Sequence, residues 1–372
     1  MTTVVEQINS WIVSGQFPSA QTMVALGGSA VVLYVASVRA LRYRNLNYIR
    51  RKYPDPDVCM TDKDAAEEVY NIMFRREFPY LARQGTELAL FKTFSVPTIS
   101  KLLVATGEFG KDVSKRAEDT ELILGEMLDV YARCANETQT RGCPLSAGDV
   151  QQQKQRAELS LTRLNELHGK YNILNSDFVY TLSLFVIEPM RWIEQYEWRA
   201  LDEREYKAAW RVWYDIGQGM HLKDIPESYE AMLAFKRKYE EECVKYSPTN
   251  WKCAEPTVMH ILQRAPKFIR PILIKYFLPC VLEPHDCIAF DLPQAPPRLV
   301  SLMETFLGLR RFYLRYLSLP RNRFVCRTPF ATNDKGRYVP RFNLYKPIYP
   351  DGYAIEELGP LKYMPTKCPV PH

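Results

Sequence analysis

The apolar positions of this chain follow two different patterns. From Met23 to Val38 the sequence reads MVALGGSAVVLYVASV, and the stretch without Lys, Arg, Asp or Glu begins after Glu6. Beyond it, apolar residues recur at the three- and four-residue spacing of amphipathic helices, with no sustained alternation of period two. This periodicity predicts helices over 62–77 (ended by Pro79), 114–134, 151–170, 177–198 (kinked by Pro189), 202–216, 227–245 and 298–317. The one over 202–216 opens on the capping box Asp202-x-x-Glu205 and stops at Gly217. Residues 135–150 read as a polar loop. After Pro320 the composition turns to Pro, Tyr, Arg and Asn, which predicts an irregular tail over about 320–372, wrapped on the surface. Asp351-Gly352 is the one hairpin-type turn signal.

The first pattern decides the compartment. A bilayer-spanning helix needs about 17–25 apolar residues. Counted from Gln21 to Ala40, the amino-terminal stretch reaches that length, although Gly27, Gly28, Ser29 and Ser37 dilute it. A cleaved signal peptide carries basic residues ahead of its apolar run, and none precede this one. They follow it instead, as Arg39, Arg42, Arg44, Arg50, Arg51 and Lys52. The positive-inside rule then predicts residues 1–20 as a lumenal segment, 21–41 as an anchor and 42–372 as a cytosolic helical domain. The basic exit suits anionic lipid headgroups, and a buried core helix is the competing reading. In the cytosol the sequon Asn136-Glu-Thr138 never meets the glycosylation machinery and stays unmodified.

Composition adds exclusions. With 47% apolar and 25% charged residues the chain is globular, and a net charge of +6 implies no nucleic-acid partner. Nine cysteines without a C-x-x-C pair argue against a zinc ribbon and for reduced thiols. No H-E-x-x-H, G-x-S-x-G, Walker A or G-x-G-x-x-G motif is present. Of the five histidines, His221 reads as an exposed loop residue, while His260 and His285 read as satisfying local carbonyls.

His168 is different. On a helix over 151–170, Ala157, Leu161, Leu164 and His168 fall on one stripe, so an imidazole shares an aliphatic face and must find a partner. It is either a hydrogen-bonded core histidine or a ligand. Gly169 follows it, and a missing side chain there lets a flat, bulky ligand approach. On a second helix Arg116 and Thr120 lie four apart, on a face continued by Ile123 and Met127. An inward arginine needs an anion: a carboxylate such as Asp177 or Glu188, or the carboxylate of a cofactor.

Three blocks then occur in order: Lys115-Arg116-x-x-Asp119-Thr120 with Gly125-Glu126-Met127; Arg163 to Tyr171 (R-x-x-x-L-H-x-x-Y); and Tyr180 to Arg199. They are flanked by FSVPTISKLL at 94–103, YPDGYAIEELGP at 349–360 and Lys367-Cys368-Pro369. This arrangement resembles the fungal MpaB oxygenase family over nearly the whole chain. The resemblance implies an oxygenase of fungal secondary metabolism, anchored in the endoplasmic reticulum. The family's mycophenolic-acid member cleaves a carbon–carbon double bond of a farnesyl side chain. The family is distantly similar to the bacterial latex-clearing rubber oxygenases, which implies an all-α, globin-like bundle around a b-type haem. By that similarity His168 is the axial iron ligand, and Arg116 and Thr120 are the polar pair beside the haem. Asp119 stands where the bacterial pattern has a lysine that can cap the distal side of the iron, and near Ser100 no glutamate matches the bacterial base. Gly169, Leu164, Ile123 and Met127, with Leu161, Phe178 and Phe185, would line the haem and prenyl pocket. A hydrophobic substrate, dioxygen, membrane lipid and other enzymes of the pathway are the expected partners. Two further readings stay open: a non-oxidative cyclase or isomerase with His168 as general base, oriented by Asp177 or Glu188, and a non-catalytic pathway scaffold.

Overall fold

The computed structural model describes residues 19–107 and 112–364. Most of the expected lumenal segment, the Lys367-Cys368-Pro369 match and His372 lie outside them. Among the described residues the protein is all-α, and its only β feature is an isolated bridge between Tyr338 and Tyr353.

Helix α1 (Ala20–Arg42) is capped by the Ser19 hydroxyl, and with its extension to Lys52 it is long and apolar enough to cross a membrane. Its apolar side chains are exposed as far as Leu33, and only near its end does it meet the rest of the protein. There Val38 is buried, and Arg42 donates to the carbonyls of Ser318 and Leu319. Helix α2 (Arg44–Lys52) follows after Tyr43. Some of the basic residues after the span also hold the body: Arg50 pairs with Asp202 at 2.8 Å and Lys52 with Glu68 at 2.6 Å.

The body begins with α3 (Lys63–Asn71), continued by a π-helical turn Ile72–Glu77. Pro79 does more than end the predicted helix. It occupies the first turn of α4 (Pro79–Thr93), where a missing N–H costs nothing. The chain bends 89° into α5 (Pro97–Thr106). The predicted helix over 114–134 is two helices, α6 (Val113–Leu128) and α7 (Val130–Arg141), broken at Asp129. The predicted loop over 135–150 is mostly helical too, because α7 runs on to Gly142, whose φ of +71° ends it. Helix α8 (Ala147–His168) starts in a Ser146/Asp149 capping box. Helix α9 (Asn175–Tyr196) carries Pro189 inside it without ending there. Helix α10 (Glu203–Gly219) uses the predicted Asp202/Glu205 box and continues past Gly217. Then come α11 (Tyr229–Cys243), α12 (Pro248–Ile261), a run of short turns over 262–289 and α13 (Pro297–Tyr316).

Helices α4 and α9 pack closest at Gly85. A Cβ on this residue would stand 2.5 Å from the Pro189 Cα, so only glycine lets the two backbones approach this way. Around this pair lies the main core, with Tyr70, Phe78, Leu81, Tyr180, Trp198 and Trp213. A second cluster joins α4 to α12 through Phe91, Cys253 and Phe290. In the third, Leu122 and Ile123 of α6 meet Tyr353, Ile355 and Leu358 of the tail. The tail is irregular, as its composition predicts, but it is part of the interior as well as wrapping.

Candidate functional site

Helices α6 and α8 run antiparallel. The Ser160 hydroxyl donates to the Ile123 carbonyl at 3.1 Å, and Arg156 donates to Glu126 at 2.6 Å. Each step forward on α6 therefore meets a step back on α8, which sets Arg116 opposite the last turn of α8. Glu126 fixes the register. It is fully buried, lies 3.3 Å from Arg133 and also accepts from the Tyr353 hydroxyl.

At the end of that pairing sits His168, the final residue of α8. Its ring lies 5.3 Å from that of Phe178. Its Nδ1 is buried and makes no hydrogen bond, so it is not the carbonyl-satisfied core histidine that was the alternative for this position. Burial, with the charge of Arg116 in support, pushes the imidazole down to about 4, which leaves it neutral at pH 7. The structure thus brings His168 and Arg116 together across 52 residues of sequence. Arg116 also lies near Cys253 of α12, whose thiol burial lifts to about 11.

The other predicted site residues take varied positions. The Thr120 hydroxyl donates to the Arg116 carbonyl at 2.9 Å, inside its own helix. Asp119 is committed to Lys115 at 2.7 Å and to the Tyr349 hydroxyl, and burial raises its carboxyl in spite of that lysine. Gly169 caps α8 and is exposed; apart from carbonyls of α8 itself, nothing lies within 4 Å of where its Cβ would stand. Ile123, Met127 and Leu164 pack together beneath the tail. Leu161 faces Gly219, and Phe185 stacks on Trp213 at 4.6 Å in the main core. Of the expected apolar wall, Phe178 is the residue whose ring contacts His168. Ser100 is buried and bonded to Asn250 at 2.7 Å.

Neither carboxylate considered for Arg116 is held in reserve for it. Asp177 accepts from the Tyr239 hydroxyl. Glu188 belongs to an ionic cluster that the sequence pattern did not disclose. Lys92 is fully buried, and its Nζ lies 3.1 Å from Glu188, 3.2 Å from Glu240 and 3.2 Å from Asp286, with Glu283 closer still. Lys236 adds contacts of 3.2 Å to Glu188 and 2.9 Å to Glu240, and Arg191 lies 2.6 Å from Glu188. Burial opposes ionisation of these carboxyls, yet the lysines overcome it and bring Glu188, Glu240 and Glu283 down to about 2. His285 stands 3.7 Å from Glu240, more distant than a hydrogen bond, and is raised by that neighbour. Glu240, Glu283 and His285 are close enough together to ligate a metal, but the two ammonium groups already share those oxygens. The cluster joins α4, α9, α11 and the short helix Pro284–Ala289, and its chemistry is that of a structural clasp. The one sequence signal was Lys92 itself, a single charge in the apolar run Leu90-Phe91-Lys92-Thr93-Phe94.

No protein-family profile matches the chain. Among curated proteins it is 30% identical over 310 residues to the ER-bound oxygenase mpaB' of Penicillium brevicompactum, covering 77% of this chain and 68% of that one. It is 29% identical over 311 residues to the ER-bound oxygenase mpaB of the same species, covering 77% and 67%. To the ER-bound oxygenase mpaB of Penicillium roqueforti (strain FM164) it is 29% identical over 267 residues, covering 66% and 83%. The paired α6 and α8, with their K-R-x-x-D-T and L-H elements, thus sit in a chain that belongs to the MpaB family of ER-bound oxygenases.

Proposed function

We propose that this protein is a haem-dependent oxygenase of the endoplasmic-reticulum membrane, with His168 as the iron ligand. The observation that carries this reading is the buried, unbonded Nδ1 of His168, on an imidazole kept neutral and set opposite an arginine. A neutral imidazole offers the lone pair that an axial ligand needs. Arg116 would hold a haem propionate, an anion otherwise stranded beside an apolar helix end. When bound, the haem supplies the binding and activation of dioxygen. The chain's own part is to fix the ring of His168 against Phe178, neutralise the propionate with Arg116 and keep bulk water from the α6–α8 end. Thr120, bonded within its helix, holds the turn that presents Arg116. Asp119, tied to Lys115 and Tyr349, fixes the other flank of α6 to the tail.

The names of its relatives support an ER-bound oxygenase; by the family resemblance, the substrate we propose is a prenylated or terpenoid compound oxidised at a carbon–carbon double bond, within a fungal secondary-metabolite pathway. An apolar substrate partitions into the bilayer that α1 crosses, which brings it to the anchored domain. The basic residues after α1 support a single pass with the domain in the cytosol.

The general-base reading loses its footing on the same residues. A base with a pKa of about 4 is poorly matched to neutral pH, and the carboxylates that would orient it, Asp177 and Glu188, are engaged elsewhere.

The test is an absorption spectrum of detergent-extracted protein, with and without dithionite. A Soret band that shifts on reduction is expected, and it should vanish in His168→Ala while helicity by circular dichroism is retained. A colourless wild-type protein, or a His168→Ala variant that keeps both band and activity, overturns the proposal. Arg116→Ala should lower haem retention through gel filtration more than it lowers helicity.

A further inference from the structure

Helix α13 leaves a continuous apolar stripe uncovered. None of its residues is fully buried, and although Leu314 packs on the main core, many of its apolar side chains face away from the protein. Leu302, Phe306, Leu309 and Tyr313 recur at i, i+4, i+7 and i+11, one helical stripe, and are 59%, 68%, 65% and 54% exposed. Two of its arginines turn inward: Arg310 pairs with Glu197 at 2.8 Å, and Arg311 donates to the Gln195 carbonyl. In water such an arrangement wastes apolar burial and leaves a stripe that invites association.

The position of the helix says what covers it. Helix α13 packs against α1. The Tyr34 hydroxyl, inside the apolar stretch of α1, donates to the Leu317 carbonyl at 2.7 Å, and Arg39 stacks on Tyr316. Arg42 holds the carbonyls of the next two residues, Ser318 and Leu319. The carboxyl end of α13 is thus fastened over two turns of the span, and its outward stripe continues the exposed apolar surface of α1. The short helix Leu278–Val281 packs on α13 and leads back to a segment with the same character. There Phe268 is 78% exposed and Ile272 50%. From Pro256 to Leu282 the chain has no acid but carries Arg264, Lys267, Arg270 and Lys275.

We propose that α13 and the 268–277 segment form a second membrane contact, lying in the headgroup–acyl boundary of the leaflet into which α1 enters. Aromatic and aliphatic side chains enter the acyl edge, and the four cations of 264–275 meet anionic headgroups. The inference builds on the reading of α1 as a span. It adds that the folded domain rests on the membrane instead of hanging from a tether.

The test uses the full chain in nanodiscs containing anionic lipid, with an environment-sensitive fluorescent residue encoded at position 306, 31 or 158 in turn. Lipids carrying a doxyl quencher on the acyl chain are then compared with unlabelled lipids. Expected is loss of emission at 306 and at 31, with none at the exposed helical position 158. Quenching at 31 without quenching at 306 overturns the second contact and leaves the anchor standing. Quenching at 306 alone supports the second contact and overturns the anchor. Emission at 306 that responds to protein concentration in quencher-free discs, and not to the quencher, assigns the stripe to a second copy of the chain and overturns the membrane assignment. Leu302→Glu with Leu309→Glu, whose side chains point outward and leave the fold intact, should abolish the quenching at 306.

Discussion

A single buried charge can be read as a cost or as a clasp, and Lys92 is the second. Its ammonium lies within reach of four carboxylates from three parts of the chain. Removing one partner of such a network strands the others, so Lys92→Met should cost about 3–5 kcal/mol of stability, measured by denaturant unfolding in detergent. His168 was legible in the sequence because an imidazole interrupts an aliphatic stripe, and Arg116 because a guanidinium shares a face with Ile123 and Met127. Their meeting was not legible. It depends on the antiparallel register of α6 and α8, which is set by Ser160 and by Glu126 in contacts no periodicity encodes. Lys92 was passed over in the sequence although it is a lone charge among apolar neighbours, and its partners are scattered from Glu188 to Asp286, where spacing could not collect them.

At the scale of elements, periodicity located seven helices, and chain punctuation misled where proline was read only as a stop. Pro79, read as the end of a helix, instead opens α4, and Pro97, Pro248 and Pro297 likewise open α5, α12 and α13; of these helices only α13 was anticipated. The polar 135–150 stretch failed for another reason. Asn136 looks solvated in sequence, yet it is buried, donating to the Phe324 carbonyl at 2.9 Å and accepting from the Phe324 N–H. The contact between α4 and α9 gives a sharp test. At Gly85 the obstacles to a methyl group are backbone atoms of Pro189 and Glu188, at 2.5 to 3.2 Å, which cannot rotate away. Gly85→Ala should therefore force the helices apart and destabilise by about 1–3 kcal/mol, seen as a lower thermal midpoint by circular dichroism.

For the whole molecule, the acid limb of stability follows from the clasp. Glu188, Glu240 and Glu283 ionise at about 2 in the folded state, against an ordinary value of 4.5. The unfolded chain binds those protons first as pH falls. Their stabilisation is complete above about pH 4.5 and is lost between there and pH 2. Unfolding midpoints should fall steeply across that window, and Glu188→Gln should flatten the fall. Topology gives a second test at this scale. In sealed microsomes the domain should be digested by added trypsin without detergent, and Asn136 should carry no glycan. Protection of the domain from trypsin would reverse the orientation.

The tail closes one side of the α6–α8 pair. Arg163 of α8 donates to the Leu358 carbonyl, 195 residues further on, and to the Tyr363 carbonyl. A stretch of chain synthesised long after α8 is thus the floor beneath the helix that ends in His168. During translation that helix waits, uncovered, until those 195 residues have been added. Whatever docks at its end is captured only once the tail has been made, and a stop codon placed just after α13 would spare every long helix from α1 to α13 while leaving that floor unlaid.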